Sequence, residues 1–262
     1  MYPILFRLGS VTIYSYGFFI VLGFLVGAVI AILKSRRAGL GLSVDTGADL
    51  FFYTILSAIV GARLLFVLLN FDSYRRDPLQ ILKIWEGGLV FYGGLILAAG
   101  VSICYLRWHR LPIWKLVDLV SPPIALGLFF GRVGCFLAGC CYGKETSLPW
   151  RVIFTDPNSL ARLNVPLHPT QLYDAANGLA IFFFLIWMEK RKTFDGEIFW
   201  LFLFLYSTAR FFIEMVRGDP RGFLFQGLLS TSQGIGILLA ISSLFMLFCL
   251  KRKYGRYAKW LS

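Results

Sequence analysis

Seven long apolar runs restrict this chain to a fold that crosses a membrane. They lie at residues 14–33, 48–69, 89–106, 116–139, 171–188, 196–215 and 231–250. A helix needs about 20 mostly apolar residues to cross a bilayer. Only helices and closed barrels satisfy their backbone hydrogen bonds within hydrocarbon. The sequence therefore predicts an all-α polytopic membrane protein with seven transmembrane helices.

The positive charge of the chain indicates a lipid partner. The net charge is +12, but Lys and Arg lie in short connections between apolar runs and do not form one soluble face. We therefore expect membrane lipid, and no nucleic acid, as a partner. The first apolar run is followed by basic residues and has no small-residue cleavage site after it, so we expect it to be retained.

The distribution of basic residues predicts the orientation. The connections 34–47, 107–115 and 189–195 and the tail 251–262 contain 14 Lys and Arg, against 9 in the N-terminal segment and the other three connections. The positive-inside rule then places the C-terminus in the cytoplasm and the N-terminus outside. The long loops 70–88 and 140–170 also lie outside. No linker or repeat separates a second domain, so residues 1–262 are predicted to form a single integral-membrane domain.

Three arginines lie within the apolar runs: Arg63, Arg132 and Arg210. Their spacing from the predicted outer helix ends puts all three roughly 8–10 Å below the outer surface. An arginine in hydrocarbon costs about 2.5–3.5 kcal/mol, and such residues often mark a functional site. The alternative is that each reaches the interface or pairs with a carboxylate, such as Glu214 one turn after Arg210. Planar guanidinium groups suit a phosphate, which favours a phospholipid headgroup as ligand.

Five segments resemble, in order, the motifs of the prolipoprotein diacylglyceryl transferases. They are Tyr14-Ser15-Tyr16-Gly17, Gly87 to Gly94, Gly131 to Phe136, His168 to Tyr173 and Arg210 to Arg217. The resemblance implies transfer of the diacylglyceryl group of phosphatidylglycerol to the lipobox cysteine of a prolipoprotein signal peptide. It also implies a thioether product, release of glycerol 1-phosphate and a multi-pass location in the bacterial inner membrane, with the site toward the periplasm. Neither a cofactor nor a metal is expected.

The resemblance and the arginine layer together predict the site residues. Arg132 and Arg210 would stabilise the leaving phosphate, with Arg63 and Glu214 in support. Residues that share a predicted role in substrate binding are Tyr16, Gly93 and Gly94. Tyr92 and His168 complete the catalytic set.

The chain departs from the family pattern at positions that bear on proton transfer. Where the family commonly has Asn-Phe, then Asn, then Glu, this chain has Cys135-Phe136, Ala138 and Cys140. Where it commonly has histidine, this chain has Tyr92, a poor base at neutral pH. The base is therefore left open between His168, Glu214 and no dedicated base, and Tyr92 is predicted to orient the substrate.

Several residues also have structural interpretations. Tyr16 could be an interfacial tyrosine, the Gly-Gly pairs could allow close helix packing, and Cys135, Cys140 and Cys141 could be small buried residues. Asp118 and Asp174, near span starts, are predicted to cap helices. For the whole protein, the rival functions are a non-catalytic phospholipid-binding paralogue and a lipid transporter or scramblase.

Overall fold

The computed structural model describes residues 1–9, 11–38, 44–219, 222–224 and 229–260. Part of the predicted inner loop 34–47 and the last two residues of the predicted tail 251–262 lie outside these ranges. Within them, seven helices are long and apolar enough to cross a membrane. This confirms the predicted polytopic all-α fold, whereas the orientation of the termini stays a prediction.

The membrane-spanning helices follow the apolar runs closely. They are α1 (Ser15–Ala38), α2 (Val44–Leu69), α4 (Phe91–Trp108), α5 (Ile113–Ala138), α6 (Thr170–Glu189), α7 (Glu197–Met215) and α8 (Thr231–Trp260). Helix α8 continues past its apolar run because Lys, Arg and Tyr extend a helix as readily as apolar residues do. Apolarity therefore marks the span and not the full helix.

Short elements occupy the connections. Helix α3 (Phe71–Arg76) and two 3-10 turns, Pro78–Leu82 and Ile84–Glu86, follow α2. Three antiparallel strand pairs lie in the described chain: β1 (Ile4–Leu8) with β2 (Val11–Tyr14), β3 (Val152–Ile153) with β4 (Pro166–Leu167), and β5 (Phe223–Leu224) with β6 (Leu229–Ser230). Strands of two residues show no alternating pattern, so the sequence does not predict them.

The chain divides into two compact units, and the expectation of one domain stays a prediction. The first unit comprises Met1–Ala31 and Val117–Ser262. Its core lies between α5, α6 and α7 and consists of Ala125, Ile181, Leu185, Ile198 and Phe202. The loop between α5 and α6 has a small core of its own, formed by Phe154, Ala161 and Leu167. This unit carries most of the predicted site.

An aspartate of α5 fixes the start of α7. Asp118 accepts hydrogen bonds from the backbone N–H groups of Gly196 at 2.8 Å and Phe199 at 2.9 Å. It also pairs with Lys192 at 3.0 Å, which contacts Asp195 as well. Burial disfavours the charge of Lys192, but the two carboxylates outweigh it and raise its pKa. Asp118 is thus a helix cap, although for a neighbouring helix and not for its own.

The second unit, Ile32–Leu116, packs α2 against α4 through glycines. A Cβ atom added to Gly93 would lie 2.3 Å from the carbonyl oxygen of Gly61, and one added to Gly94 would lie 2.6 Å from that of Ala58. Helices in membranes approach this closely only where small residues meet. Both glycines are buried in this helix contact, which favours the packing interpretation, and their predicted role in substrate binding stays a prediction.

Candidate active site

Three helices of the first unit converge on one carboxylate oxygen. Asp174 Oδ2 of α6 lies 3.3 Å from Arg132 Nε of α5 and 3.1 Å from Arg210 Nη1 of α7. The Asp174 side chain is only 3% exposed. The structure thus brings together two of the predicted arginines, around an aspartate that the sequence assigned to a helix cap.

The end of α7 adds a third arginine and two more carboxylates. Arg210 Nη2 lies 2.6 Å from Glu214 Oε2, as the one-turn spacing predicted. Arg217 donates from Nε and Nη2 to the two oxygens of Asp219, at 2.9 and 3.0 Å, and its Nη1 lies 3.7 Å from Asp174 Oδ2. Residues of this arginine–carboxylate cluster are Arg132, Asp174, Arg210, Glu214, Arg217 and Asp219.

The cluster is formally neutral, with three guanidinium groups and three carboxylates. Burial disfavours the charge on Arg217, but its bonds to Asp219 and the neighbouring Cys141 sulfur outweigh it and raise its pKa. Glu214 also accepts a hydrogen bond from Ser230 Oγ at 3.2 Å. Glu214 is thus held by two arginines and a hydroxyl group. This arrangement favours ion pairing by Glu214 over its predicted alternative role as the base.

Two residues at the centre of the cluster have atoms that remain available to a ligand. Arg132 contacts Asp174 through Nε alone, so its Nη1 and Nη2 have no hydrogen-bond partner in the described part of the chain, and its side chain is 18% exposed. Asp174 Oδ1 is buried without a partner among the described residues. Buried polar atoms are rarely left without partners. A ligand with anionic oxygens and a hydroxyl group would satisfy both residues.

Helix α1 and a group of thiols adjoin Arg132. The Tyr16 hydroxyl interacts electrostatically with Arg132 and with the thiols of Cys135, Cys140 and Cys141. The backbone of Tyr16 approaches closely because α5 has a glycine at 134, where an added Cβ would lie 3.3 Å from Tyr16 Cα. The side chain of Tyr16 is 46% exposed. Tyr16 therefore lies at the edge of the site.

Three backbone segments form a layer beside the cluster. Gly143 donates to the carbonyl of His168 at 3.0 Å, and Lys144 donates to that of Val216 at 2.8 Å. A Cβ added to Gly143 would lie 2.4 Å from His168 Cβ, so only glycine permits this spacing. The segment around Gly143 thus separates His168 from Arg217, with which Gly143 forms an isolated β-bridge.

His168 belongs to a short series of hydrogen-bonded side chains. Its Nδ1 lies 3.3 Å from the Tyr173 hydroxyl, which accepts a hydrogen bond from Trp150 Nε1 at 2.7 Å. If the hydroxyl donates to Nδ1, the neutral imidazole carries its proton on Nε2. This tautomer makes His168 a donor at Nε2 and weakens its prediction as the base.

In the second unit, Arg63 binds backbone carbonyls and has no carboxylate partner among the described residues. Nε donates to the carbonyl of Ile81 at 3.0 Å, Nη2 to Gln80 at 2.6 Å, and Nη1 to Gly87 at 2.7 Å and Gly88 at 3.2 Å. The two glycines have φ values of +87° and +72°, a region that L side chains rarely adopt. Every donor group of Arg63 is thereby engaged, which favours loop positioning over the predicted substrate contact.

Tyr92 lies in the first turn of α4, also in the second unit. It is 38% exposed, and its ring lies 5.8 Å from that of Phe91 in an edge contact. A tyrosine exposed to this extent at a helix start is accessible to a substrate. The predicted orienting role of Tyr92 stays a prediction.

Sequence reasoning missed Asp174, Arg217 and Asp219 as members of the site. A signal was present, because Arg210, Glu214 and Arg217 have the spacing i, i+4 and i+7 that places side chains on one helix face. Asp174 could not be found this way, since nothing local distinguishes a capping aspartate from one that pairs across helices.

Comparisons with known proteins identify the family that the chain resembles over nearly its whole length. A family model described as prolipoprotein diacylglyceryl transferase matches residues 3–249. A phosphatidylglycerol–prolipoprotein diacylglyceryl transferase of Clostridium tetani is 38% identical over 246 residues, which cover 94% of this chain and 96% of the relative. A second transferase of that name, from Clostridium perfringens, is 38% identical over 93% of both chains. One from Vibrio cholerae is 34% identical over 94% of this chain and 90% of its own length.

Proposed function

Because the chain belongs to the prolipoprotein diacylglyceryl transferase family, we propose that it transfers the diacylglyceryl group of phosphatidylglycerol to a prolipoprotein. The acceptor is the thiol of the lipobox cysteine in the signal peptide. Its sulfur forms a bond to the glycerol carbon that carries the phosphate ester, and the carbon–oxygen bond breaks. The products are a thioether and glycerol 1-phosphate.

The free terminal nitrogens of Arg132 carry this proposal. They are the parallel donors that a phosphate accepts in two hydrogen bonds. Negative charge on the phosphate oxygens grows as the carbon–oxygen bond breaks, and donors placed in advance stabilise that charge most. Nε of Arg132 stays on Asp174, which fixes the plane of the guanidinium group. Arg132 is therefore the catalytic contact to the leaving group.

Arg210 and Asp174 act around this contact. Arg210 contacts two carboxylates, so its role is to hold Asp174 in place for Arg132. The unpartnered Asp174 Oδ1 is an acceptor for a hydroxyl of the glycerol headgroup, a donor that distinguishes phosphatidylglycerol from phosphatidic acid. Arg210 thus becomes a positioning residue, in place of the direct clamp that the sequence predicted.

The acceptor side of the reaction involves the remaining predicted residues. Tyr16 and Tyr92, both exposed residues, orient the substrates through their hydroxyl groups. Arg63 and its carbonyl contacts hold the outer loop in position. His168 stays a second candidate as base, subject to the tautomer set by Tyr173.

The proposed location is the bacterial inner membrane, with the site toward the periplasm. The charge asymmetry of the connections supports it, since 14 of the 23 basic residues outside the predicted spans lie on the predicted inner side. Fusions of a periplasm-active reporter to Ser262 should be inactive. An active fusion would show that the predicted orientation is the wrong way round.

Purified protein with phosphatidylglycerol and a lipobox peptide tests the reaction. The peptide should gain the mass of a diacylglyceryl group, with release of glycerol 1-phosphate. A peptide with serine in place of cysteine is the matched control and should stay unmodified. If the cysteine peptide remains unmodified in phosphatidylglycerol bilayers, the chain is not this transferase.

A further inference from the structure

Three cysteines at the end of α5 form a compact group of thiols. The sulfur atoms of Cys135, Cys140 and Cys141, here called the cysteine triad, all lie within 4.8 Å of one another. Cys135 is buried, and the other two are half-buried. The sequence analysis interpreted them as small buried residues. Three sulfurs this close to one another, however, are the arrangement of a metal-binding site.

The backbone of the triad is held in a strained conformation. Cys141 has φ +62°, which is unusual for a residue with a side chain. Thr170 Oγ1 donates to the Cys141 carbonyl at 2.8 Å and Gln171 Nε2 donates to the Cys140 carbonyl at 2.7 Å. Both donors are fully buried. Strain that the surroundings hold in place is typical of functional sites.

A disulfide does not account for three sulfurs. Cys140 and Cys141 are adjacent, and Cα atoms about 3.8 Å apart across a trans peptide lie below the usual disulfide range of about 4.4–6.8 Å. A bond from Cys135 to either of them would leave the third thiol unused. One metal ion uses all three.

The chemistry of the triad favours zinc. Thiolates select soft or borderline cations such as zinc, and zinc–sulfur bonds of about 2.3 Å in a tetrahedron place the sulfurs roughly 3.8 Å apart. Small rotations of side chains that already lie within 4.8 Å reach that spacing. Three thiolates and one zinc ion leave a single negative charge. Arg132 interacts electrostatically with Cys135 and Cys141, and Arg217 lies beside Cys141, so two guanidinium groups lie next to this charge.

We propose that Cys135, Cys140 and Cys141 bind one zinc ion and leave its fourth coordination position to the acceptor thiol. The coordination of the acceptor thiol rests on the proposed function. In the described part of the chain no fourth His, Cys, Asp or Glu joins this group. Three protein ligands and one open position characterise catalytic zinc sites, whereas structural sites have four.

The open position places the nucleophile beside the phosphate contact. A thiol that coordinates zinc loses its proton, which passes to water. The sulfur electron pair then forms the bond to the glycerol carbon, and the electron pair of the breaking carbon–oxygen bond leaves with the phosphate held by Arg132. The neutral thioether is a weak ligand and leaves the metal. The site thus supplies a thiolate without a dedicated base.

Metal analysis of the full-length protein tests the first part. Zinc-loaded, desalted protein should hold one zinc ion per chain, and cobalt-loaded protein should show a thiolate-to-cobalt charge-transfer band. Cys135→Ser and Cys141→Ser should weaken zinc binding at least tenfold. Cys104→Ser and Cys249→Ser are matched controls outside the triad and should bind as the unaltered chain does.

A measurement on the unaltered chain tests the metal site even if the cysteine variants misfold. Zinc should slow alkylation of Cys135, Cys140 and Cys141 in a peptide map and leave labelling of Cys104 and Cys249 unchanged. Equal labelling with and without zinc, or a disulfide from Cys135 in protein loaded with zinc, overturns the metal site.

A lipobox peptide tests the second part. Added to cobalt-loaded protein, the cysteine peptide should change the charge-transfer band, and its serine analogue should not. An unchanged band overturns coordination of the acceptor. Transfer is followed separately by peptide mass, so a chain that binds metal and thiol but gives no adduct refutes the proposed function and leaves the metal site standing.

Discussion

Arg132 and Arg210 reach the same oxygen atom, Oδ2 of Asp174, from two different helices. The shared oxygen makes the two arginines unequal. Arg210 has a second carboxylate in Glu214, whereas the terminal nitrogens of Arg132 have no partner within the described ranges. One arginine therefore holds the site together, and the other is available to the substrate.

Substitution of Arg132 should remove transition-state stabilisation. We expect Arg132→Ala to lower the transfer rate about 100- to 1,000-fold, the usual effect of losing one such donor. Arg132→Lys should recover little, because an ammonium group cannot form the parallel pair of hydrogen bonds. The measurement is peptide mass against time. Arg162→Ala, which removes an exposed pair with Glu145, is the control and should leave the rate unchanged. A rate near normal in Arg132→Ala would remove Arg132 from the site.

Substitution of Asp174 should destabilise the fold as well as the site. Asp174→Asn leaves the charges of Arg132 and Arg210 without their shared partner, and breaking a buried ion pair costs about 3–5 kcal/mol. Thermal unfolding in detergent, followed by tryptophan fluorescence, should show a clear fall in Tm. Asp156→Asn changes an exposed turn carboxylate and should not. Equal Tm values for the two variants would contradict the central place of Asp174.

Removal of the Arg63 guanidinium should release the loop between α2 and α4. Hydrogen bonds from a charged donor contribute about 1.5–3 kcal/mol each, and Arg63→Ala loses four. Trypsin should then cut after Lys83 faster than in the unaltered chain. Arg107→Ala removes an exposed arginine in the same unit and serves as the control. An unchanged cleavage rate in Arg63→Ala would show that the loop holds its position without Arg63.

A methyl group on Gly93 should separate two helices. The added Cβ would lie 2.3 Å from a carbonyl oxygen of Gly61, and overpacking of this kind costs about 1–3 kcal/mol. Gly100→Ala in the same helix meets no atom within 4 Å, so it should be neutral or stabilising. Unfolding in detergent separates the two variants. The helix-packing assignment of Gly93 fails if both behave alike.

Rate–pH profiles show which group accepts the proton of the acceptor thiol. The four proteins to compare are the unaltered chain, His168→Gln, Tyr92→Phe and Tyr92→His. If His168 is the base, its glutamine variant loses the rate and the acidic limb of the profile. We expect His168→Gln to retain both, because zinc coordination supplies the thiolate. Tyr92→Phe should turn over more slowly because it lacks the orienting hydroxyl. Full activity of Tyr92→Phe would exclude that role.

The sequence was sufficient for elements that depend on local composition. Apolar runs predicted seven spans to within a few residues, and the spacing of Arg210 and Glu214 predicted their ion pair. Contacts between segments that are distant in the sequence could not be predicted from the sequence. Whether an arginine in a span meets a carboxylate, as Arg132 does, or backbone carbonyls, as Arg63 does, depends on which helix packs beside it.

The glycine-rich segment from Gly87 to Gly94 shows the same limit. From the motif alone, the Gly-Gly pairs were left open between substrate binding and close helix packing. Gly87 and Gly88 turn their carbonyls to Arg63 through positive φ, while Gly93 and Gly94 admit a neighbouring helix. One repeated residue type thus serves two physical purposes that only the packed chain distinguishes.

The contacts of Arg63 also determine which changes the loop between α2 and α4 tolerates. The guanidinium group recognises carbonyl oxygens, which every residue has, and among the loop side chains it faces the ring of Tyr74, 5.2 Å away. Leu79, Leu82 and Trp85 are at least 71% exposed and are free of this constraint. The loop can therefore exchange its side chains widely, whereas an insertion or deletion between Gln80 and Gly88 would misplace the oxygens. Between Gln80 and Gly88, this arginine therefore fixes the number of residues and not their side chains.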